Sequence, residues 1–231
     1  MATFVLVHGA TAGGWVWREV PGLIRQLGHQ VYVCTLTGLG ERSHLLNPDI
    51  DLDTHIQDVV NSIRFEDLDQ VALIGHSYGG AVITGVAEQI PERLTYLIYV
   101  DAVVLQDGEK VMDLWPPDMV EAARQEIQAH GEGWYLSGED PEDPRFVDHP
   151  AKTLFQSITI GNAASAGIPH VYIFCTEKEE MGPSGLGIIR SAERAQALGW
   201  EYYELPTGHH PMWTMPQELV SLLVKVVQQS Y

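Results

Sequence analysis

The stretch Val71-Ala72-Leu73-Ile74-Gly75-His76-Ser77-Tyr78-Gly79-Gly80-Ala81-Val82-Ile83 decides the fold. A short apolar run, the length of a buried strand, stops at Gly75, and a helical pattern opens at about Gly79. Between them stands Gly-x-Ser-x-Gly, with Ser77 at its centre. A strand that turns straight into a helix holds its middle residue in a strained backbone and lifts that hydroxyl above the sheet. Side chains at the flanking positions would strike the neighbouring strand and helix, which accounts for Gly75 and Gly79. The helix N-terminus leaves N–H groups free beside the serine. The segment predicts a nucleophilic Ser77; the plain alternative is a glycine-rich strand–helix turn without chemistry.

Upstream, Phe4-Val5-Leu6-Val7 reads as a buried strand, His8 to Gly14 as a glycine-rich turn, and Trp15 to Leu27 as a helix capped by Gly28. Val31-Tyr32-Val33 is the next strand, Thr37 to Ser43 a loop, and Thr54 to Phe65 a helix with Asp53 as N-cap. Downstream, Gly79 to Gln89 is the helix behind the serine and Leu97-Ile98-Tyr99-Val100 a strand. The rhythm then breaks. Residues 106–166 carry many prolines (Pro116-Pro117, Pro141 and Pro144 among them), one helical stretch at Met119–His130 and no clear strand. That is too long for an ordinary connection and is expected to be a lid insertion. The sheet resumes with His170–Cys175, a helix Gly187–Leu198 before Gly199, a strand Glu201–Leu205 and a last helix Pro216–Gln229. Strands alternating with helices predict a parallel α/β sheet, and strands apolar throughout predict cover on both faces.

The chain of 231 residues suits one domain spanning 1–231. With 45% hydrophobic and 19% charged residues it is globular. A formal charge of −18 argues against nucleic acid or an anionic membrane as partner. Cys34 and Cys175 read as buried free thiols. No leader pattern precedes the first strand, and the apolar run Leu94–Leu105 contains Asp101 and is too short to span a bilayer, so a cytoplasmic location is expected. The sequence leaves room for a homodimer.

A serine hydroxyl needs an imidazole to take its proton and a third group to orient that imidazole. Of ten histidines, one in the loop after the last strand would stand above the same sheet edge as Ser77. There the chain reads Thr207-Gly208-His209-His210-Pro211, which makes His209 the expected base and His210 its alternative. His8 and His76 lie in turns, where a histidine more often bonds backbone. No His/Cys spacing of a metal site is present, and Gly38-Leu39-Gly40 lacks the rest of a dinucleotide fingerprint.

The patterns at Phe4–Trp17, Gly75–Gly80 and Gly208-His209 together resemble the α/β-hydrolase superfamily, nearly end to end. Within it the chain is most similar to the plant methylesterase and hydroxynitrile-lyase group and its small bacterial esterase relatives. The resemblance implies a mostly parallel six-stranded sheet, a lid, a Ser–His–acid triad, no cofactor, and an oxyanion hole made by the backbone N–H groups of Ala10 and Tyr78. In the plant esterases the acid follows the strand matching His170–Cys175, in a Cys-Thr-x-Asp pattern; here Lys178 stands in its place. The acid is then Asp101, after the preceding strand, as in a bacterial subgroup reading Leu-Asp-Ala-x-x-Pro-x-Asp-Gly there, or else Glu179 or Glu177 on a longer side chain. The lyase markers of the group, a threonine and a lysine, are replaced by Gly9 and His210, which favours hydrolysis. The expected reaction is cleavage of a small, largely apolar ester by Ser77, His209 and Asp101, with carbamate or amide hydrolysis and a ligand receptor of vestigial activity as alternatives. Met112, Trp115, Trp134 and Tyr135 either line an apolar pocket or anchor the lid.

Overall fold

The computed structural model describes residues 1–138, 143–179, 181 and 185–228. Pro141 within the proline-rich stretch and Gln229, the expected end of the last helix, lie outside them.

A single six-stranded sheet organises the chain, in the order β2-β1-β3-β4-β7-β8. Its strands are β1 (Thr3–Val7), β2 (Gln30–Cys34), β3 (Val71–His76), β4 (Leu94–Val100), β7 (His170–Cys175) and β8 (Glu201–Leu205). Every pairing is parallel. β3 is central and buried along its whole length, because it has neighbours on both edges and helices on both faces.

Alternate residues of the strands feed two apolar layers. Val5, Leu73, Leu97 and Tyr172 pack on α2 (Leu52–Phe65), α3 (Gly79–Gln89) and α6 (Gly185–Ala197). Phe4, Ile74, Ile98 and Val171 pack on α1 (Val20–Gln26) and α8 (Pro216–Gln228). The period-two alternation of each strand is what splits the core this way.

Two local expectations need correction. The helix expected over Trp15–Leu27 is broken into a 3-10 turn at Gly14–Trp17 and α1. Pro21 belongs in the first turn of a helix, where its missing N–H costs nothing, so α1 starts there. The N-cap of α2 is Asp51, not Asp53: Thr54 N–H donates to Asp51 Oδ1 at 2.9 Å, and Asp51 N–H is 3.4 Å from Thr54 Oγ1. This reciprocal box belongs to Asp51 because Asp53, two residues later, already lies inside the first turn of the helix.

Between β4 and β7 the chain leaves the sheet. It forms α4 (Pro117–Ala129), a two-residue antiparallel pair β5 (Tyr135–Leu136) and β6 (His149–Pro150), and α5 (Lys152–Phe155). The tiny pair was invisible as a strand pattern because two residues have no periodicity. After β8 come α7 (Pro211–Thr214) and α8.

Candidate active site

β3 ends at His76, and the next residue, Ser77, takes φ 53° before α3 begins. That backbone is held from the adjacent strand. Ser77 N–H donates to Val100 O at 3.3 Å, and Ser77 O accepts from Gly80 N–H at 3.0 Å and Val103 N–H at 3.1 Å. The glycines are forced by contact. A Cβ on Gly75 would lie 2.5 Å from Gly79 O, and one on Gly80 would lie 2.2 Å from Val103 O. The turn cannot be this tight with any other residue.

β4 ends the same way. Asp101 has φ 46° and its N–H donates to Ile173 O of β7 at 2.8 Å. Of the six described non-glycine residues with positive φ, three (Thr11, Ser77 and Asp101) sit at the C-terminal edge of neighbouring strands β1, β3 and β4. Backbone strain of this kind gathers at functional sites in folded proteins, which makes this sheet edge the candidate.

The Asp101 carboxylate is fully buried. Oδ1 accepts from Cys175 N–H at 3.0 Å, and Oδ2 lies 2.6 Å from His209 Nδ1. Lys178 Nζ is 2.5 Å from both oxygens. A carboxylate accepts, so His209 Nδ1–H donates to Asp101, and in the neutral ring this tautomer leaves the lone pair on Nε2. Among the described residues Nε2 has no protein partner. Glu177 and Glu179, the alternative acids, are both exposed.

His209 is set by its backbone as well. His76 Nε2–H donates to His209 O at 2.7 Å, joining the end of β3 to the loop after β8. Burial, then the neighbouring His209 and His210, push the His76 ring well below the ordinary histidine range. His210, the alternative base, stacks on Trp213 with ring centres 4.3 Å apart, and burial lowers it to about 4. Asp101 bonds His209 and not His210.

The loop after β1 approaches from the other side. Among the described residues neither the Ala10 N–H nor the Tyr78 N–H has a protein acceptor. The loop is clamped by the segment between β4 and β7: Val147 N–H donates to Thr11 O at 2.8 Å, and Thr11 N–H donates to His149 Nδ1 at 3.2 Å. The Tyr78 hydroxyl donates to His55 Nδ1 at 2.9 Å, because His55 Nε2–H is committed to Thr37 O at 2.9 Å. This His55–His149 contact leaves no local pattern, since the two histidines stand 94 residues apart on α2 and β6 and meet only in the folded chain.

Ser77, Tyr78, Ala10 and His209 all line one cavity of about 600 Å³. Its far walls are apolar, from Met112, Trp115, Met119, Leu136, Phe146 and Ile188. Glu126 is the one acidic residue among the described lining. Met112 and Trp115 thus face the cavity as one of the two readings had it. Trp134 and Tyr135 do not line it; Trp134 instead stacks edge-on with Tyr135 and accepts a bond from Ala151 N–H at 3.0 Å. Cys34 and Cys175 are buried free thiols. No group of three or more metal-ligating side chains occurs among the described residues. No described helix is long and apolar enough to cross a membrane.

Comparison with known proteins agrees with this architecture. The profile of the Alpha/beta hydrolase family matches residues 4–222. The carbendazim hydrolyzing esterase of Nocardioides sp. (strain SG-4G) is 36% identical over 96% of this chain and 98% of its own length. Methylesterase 17 of Arabidopsis thaliana is 27% identical over 96% of this chain and 90% of its own. Among solved structures, an extracellular alpha/beta-hydrolase from a Paenibacillus species superposes with a TM-score of 0.78 at 25% identity, covering 97% of this chain and 98% of that one. The chain belongs to the alpha/beta hydrolase family, and its relatives place it among that family's carboxylic ester hydrolases.

Proposed function

We propose that the protein is a serine esterase for a small, largely apolar ester, with Ser77 as nucleophile, His209 as base and Asp101 as the acid that orients it. The observation that carries the reading is the 2.6 Å bond from His209 Nδ1 to a fully buried Asp101 carboxylate, with Ser77 and His209 on the same cavity. His209 Nε2 takes the Ser77 proton as Oγ attacks the ester carbonyl. The negative charge that gathers on the carbonyl oxygen is met by the N–H groups of Ala10 and Tyr78. His209 then returns the proton to the departing alkoxide, leaving an acyl-serine. A water molecule, deprotonated by the same nitrogen, cleaves it and restores the hydroxyl. No step calls for a metal or an organic cofactor.

Cavity size and lining set the substrate class. A volume of about 600 Å³ lies within the range of small-molecule sites, and apolar walls reward an uncharged acyl or alkyl group. Within this reading residues 106–166 are a lid, since they supply most of that wall, and the chain is one domain working in the cytoplasm. A second reading, hydrolysis of carbendazim by the same serine, is favoured by the name of the 36%-identical relative.

Hydrolysis of a short-chain aryl ester series, with carbendazim beside it, tests the proposal. Wild type is expected to turn over the esters, and Ser77→Ala to lose at least ~10³-fold in kcat. Turnover that survives Ser77→Ala would refute the assignment. Binding without sustained turnover would point to a receptor.

A further inference from the structure

Lys178 is more than a residue where the plant esterases hold an acid. Its side chain is 12% exposed and extends over the Phe174 ring, with Nζ 4.5 Å from the ring centre, to reach both oxygens of Asp101. β4 and β7 are parallel neighbours in register through Val100 and Ile173, so the turns after both strands meet beneath His209. The carboxylate on one turn is answered by the ammonium on the other.

We propose that Lys178 is a positioning residue of the reaction that acts through Asp101: its ammonium, bound to both carboxylate oxygens, offsets part of the carboxylate's pull on the imidazolium, so that His209 stays available as a base in mildly acidic solution. This rests on the triad reading above. A carboxylate alone beneath the imidazole makes a neutral pair when the ring takes a proton. With the ammonium present, the same protonation leaves a net positive charge in a buried place, which disfavours it. The other titratable groups near Asp101 do not blur this. His76 from β3 and His210 from the loop after β8 are held neutral by burial. Tyr172 and Cys175 from β7 are pushed well up by burial, and Tyr202 from β8 is raised to about 12, so all three stay protonated at neutral pH. Lys178 is therefore the cation that balances Asp101 among the described groups facing it.

The test is the pH profile of kcat/KM for wild type, Lys178→Met and Lys178→Arg, together with Asp101→Asn and the double variant Lys178→Met/Asp101→Asn. For Lys178→Met the acid limb is expected to move toward higher pH by about one unit, so that activity falls roughly tenfold relative to wild type on that limb and changes less than ~3-fold on the alkaline plateau. Lys178→Arg should restore the wild-type limb. Removing one partner of a buried pair can prevent folding, which the double variant avoids because it buries no unpaired charge. In that background the lysine acts through nothing, so the double variant should be no less active than Asp101→Asn alone. A Lys178→Met profile that superimposes on wild type, or a uniform loss at every pH, would overturn the assignment. So would a double variant well below Asp101→Asn. Retained turnover in Ser77→Ala or Asp101→Asn would instead sink the triad reading itself.

Discussion

One histidine lines the cavity with a carboxylate behind it, and three others stand behind its wall; they differ in what their nitrogens face. His209 has a carboxylate on Nδ1 and an unfilled lone pair on Nε2. His8, His55 and His149 each have both nitrogens filled. His8 Nδ1–H donates to Gly9 O at 2.8 Å while Nε2 accepts from Leu36 N–H at 3.1 Å. His55 bonds Thr37 O and the Tyr78 hydroxyl; His149 bonds Thr11 N–H and Thr153 Oγ1. A neutral imidazole has one donor and one acceptor, and in these three both are used. Burial pushes His8 and His55 down to about 4 and His149 well below the ordinary value. The same side chain thus has both nitrogens bonded in one set and, at His209, leaves one nitrogen open at the cavity that Ser77 also lines. A carboxylate partner and a free nitrogen make the difference, not nearness to Ser77.

The sharpest way to break this contrast is His209→Gln, expected to lower kcat by about 10⁴-fold or more with KM little changed, measured by steady-state kinetics on an aryl ester. His210→Gln, by contrast, should stay within about tenfold of wild type. The next largest effect is acid instability. A histidine in the unfolded chain titrates near 6.5, whereas His8 and His55 in the folded protein titrate at about 4. Between those values the unfolded state binds protons that the folded state refuses, so stability is lost as pH falls from about 6.5 toward 4. Each such ring contributes on the order of a few kcal/mol, and thermal unfolding across that window should show a steep fall in Tm. His149→Leu comes third. It leaves Thr11 N–H without its acceptor, at a cost of about 1–3 kcal/mol, and should lower kcat about tenfold by loosening the loop that carries Ala10. Smallest is Met112→Ala in the cavity wall, where KM for a bulky acyl ester should rise a few-fold with kcat held.

The contrast also explains what could be read from residues alone. The sheet was legible because its central strands carry continuous apolar runs at Phe4–Val7, Val71–Ile74 and Leu97–Val100, and the tight turn at Ser77 because its glycines obey contacts of under 3 Å. His209 followed from topology, being in the loop after the last strand. The three alternatives for the acid could not be ranked by spacing with the same force, since each follows one of two adjacent strands that end at the same edge. The partnership of Lys178 with Asp101 spans 77 residues, and the His149–Thr11 clamp spans 138, so neither leaves a local pattern. The short helix break at Pro21 and the capping by Asp51 were missed for a smaller reason: boundaries depend on one or two hydrogen bonds that compete closely with their neighbours.

The most direct test of the central claim is kcat for Asp101→Asn beside Glu179→Gln, on the same ester and at a pH on the plateau. An asparagine keeps the shape but cannot hold the proton on His209 Nδ1 as the carboxylate does, so a loss of about 10⁴-fold is expected, with Glu179→Gln near wild type. The opposite pattern, Asp101→Asn active and Glu179→Gln crippled, would contradict the account and move the acid to the turn after β7.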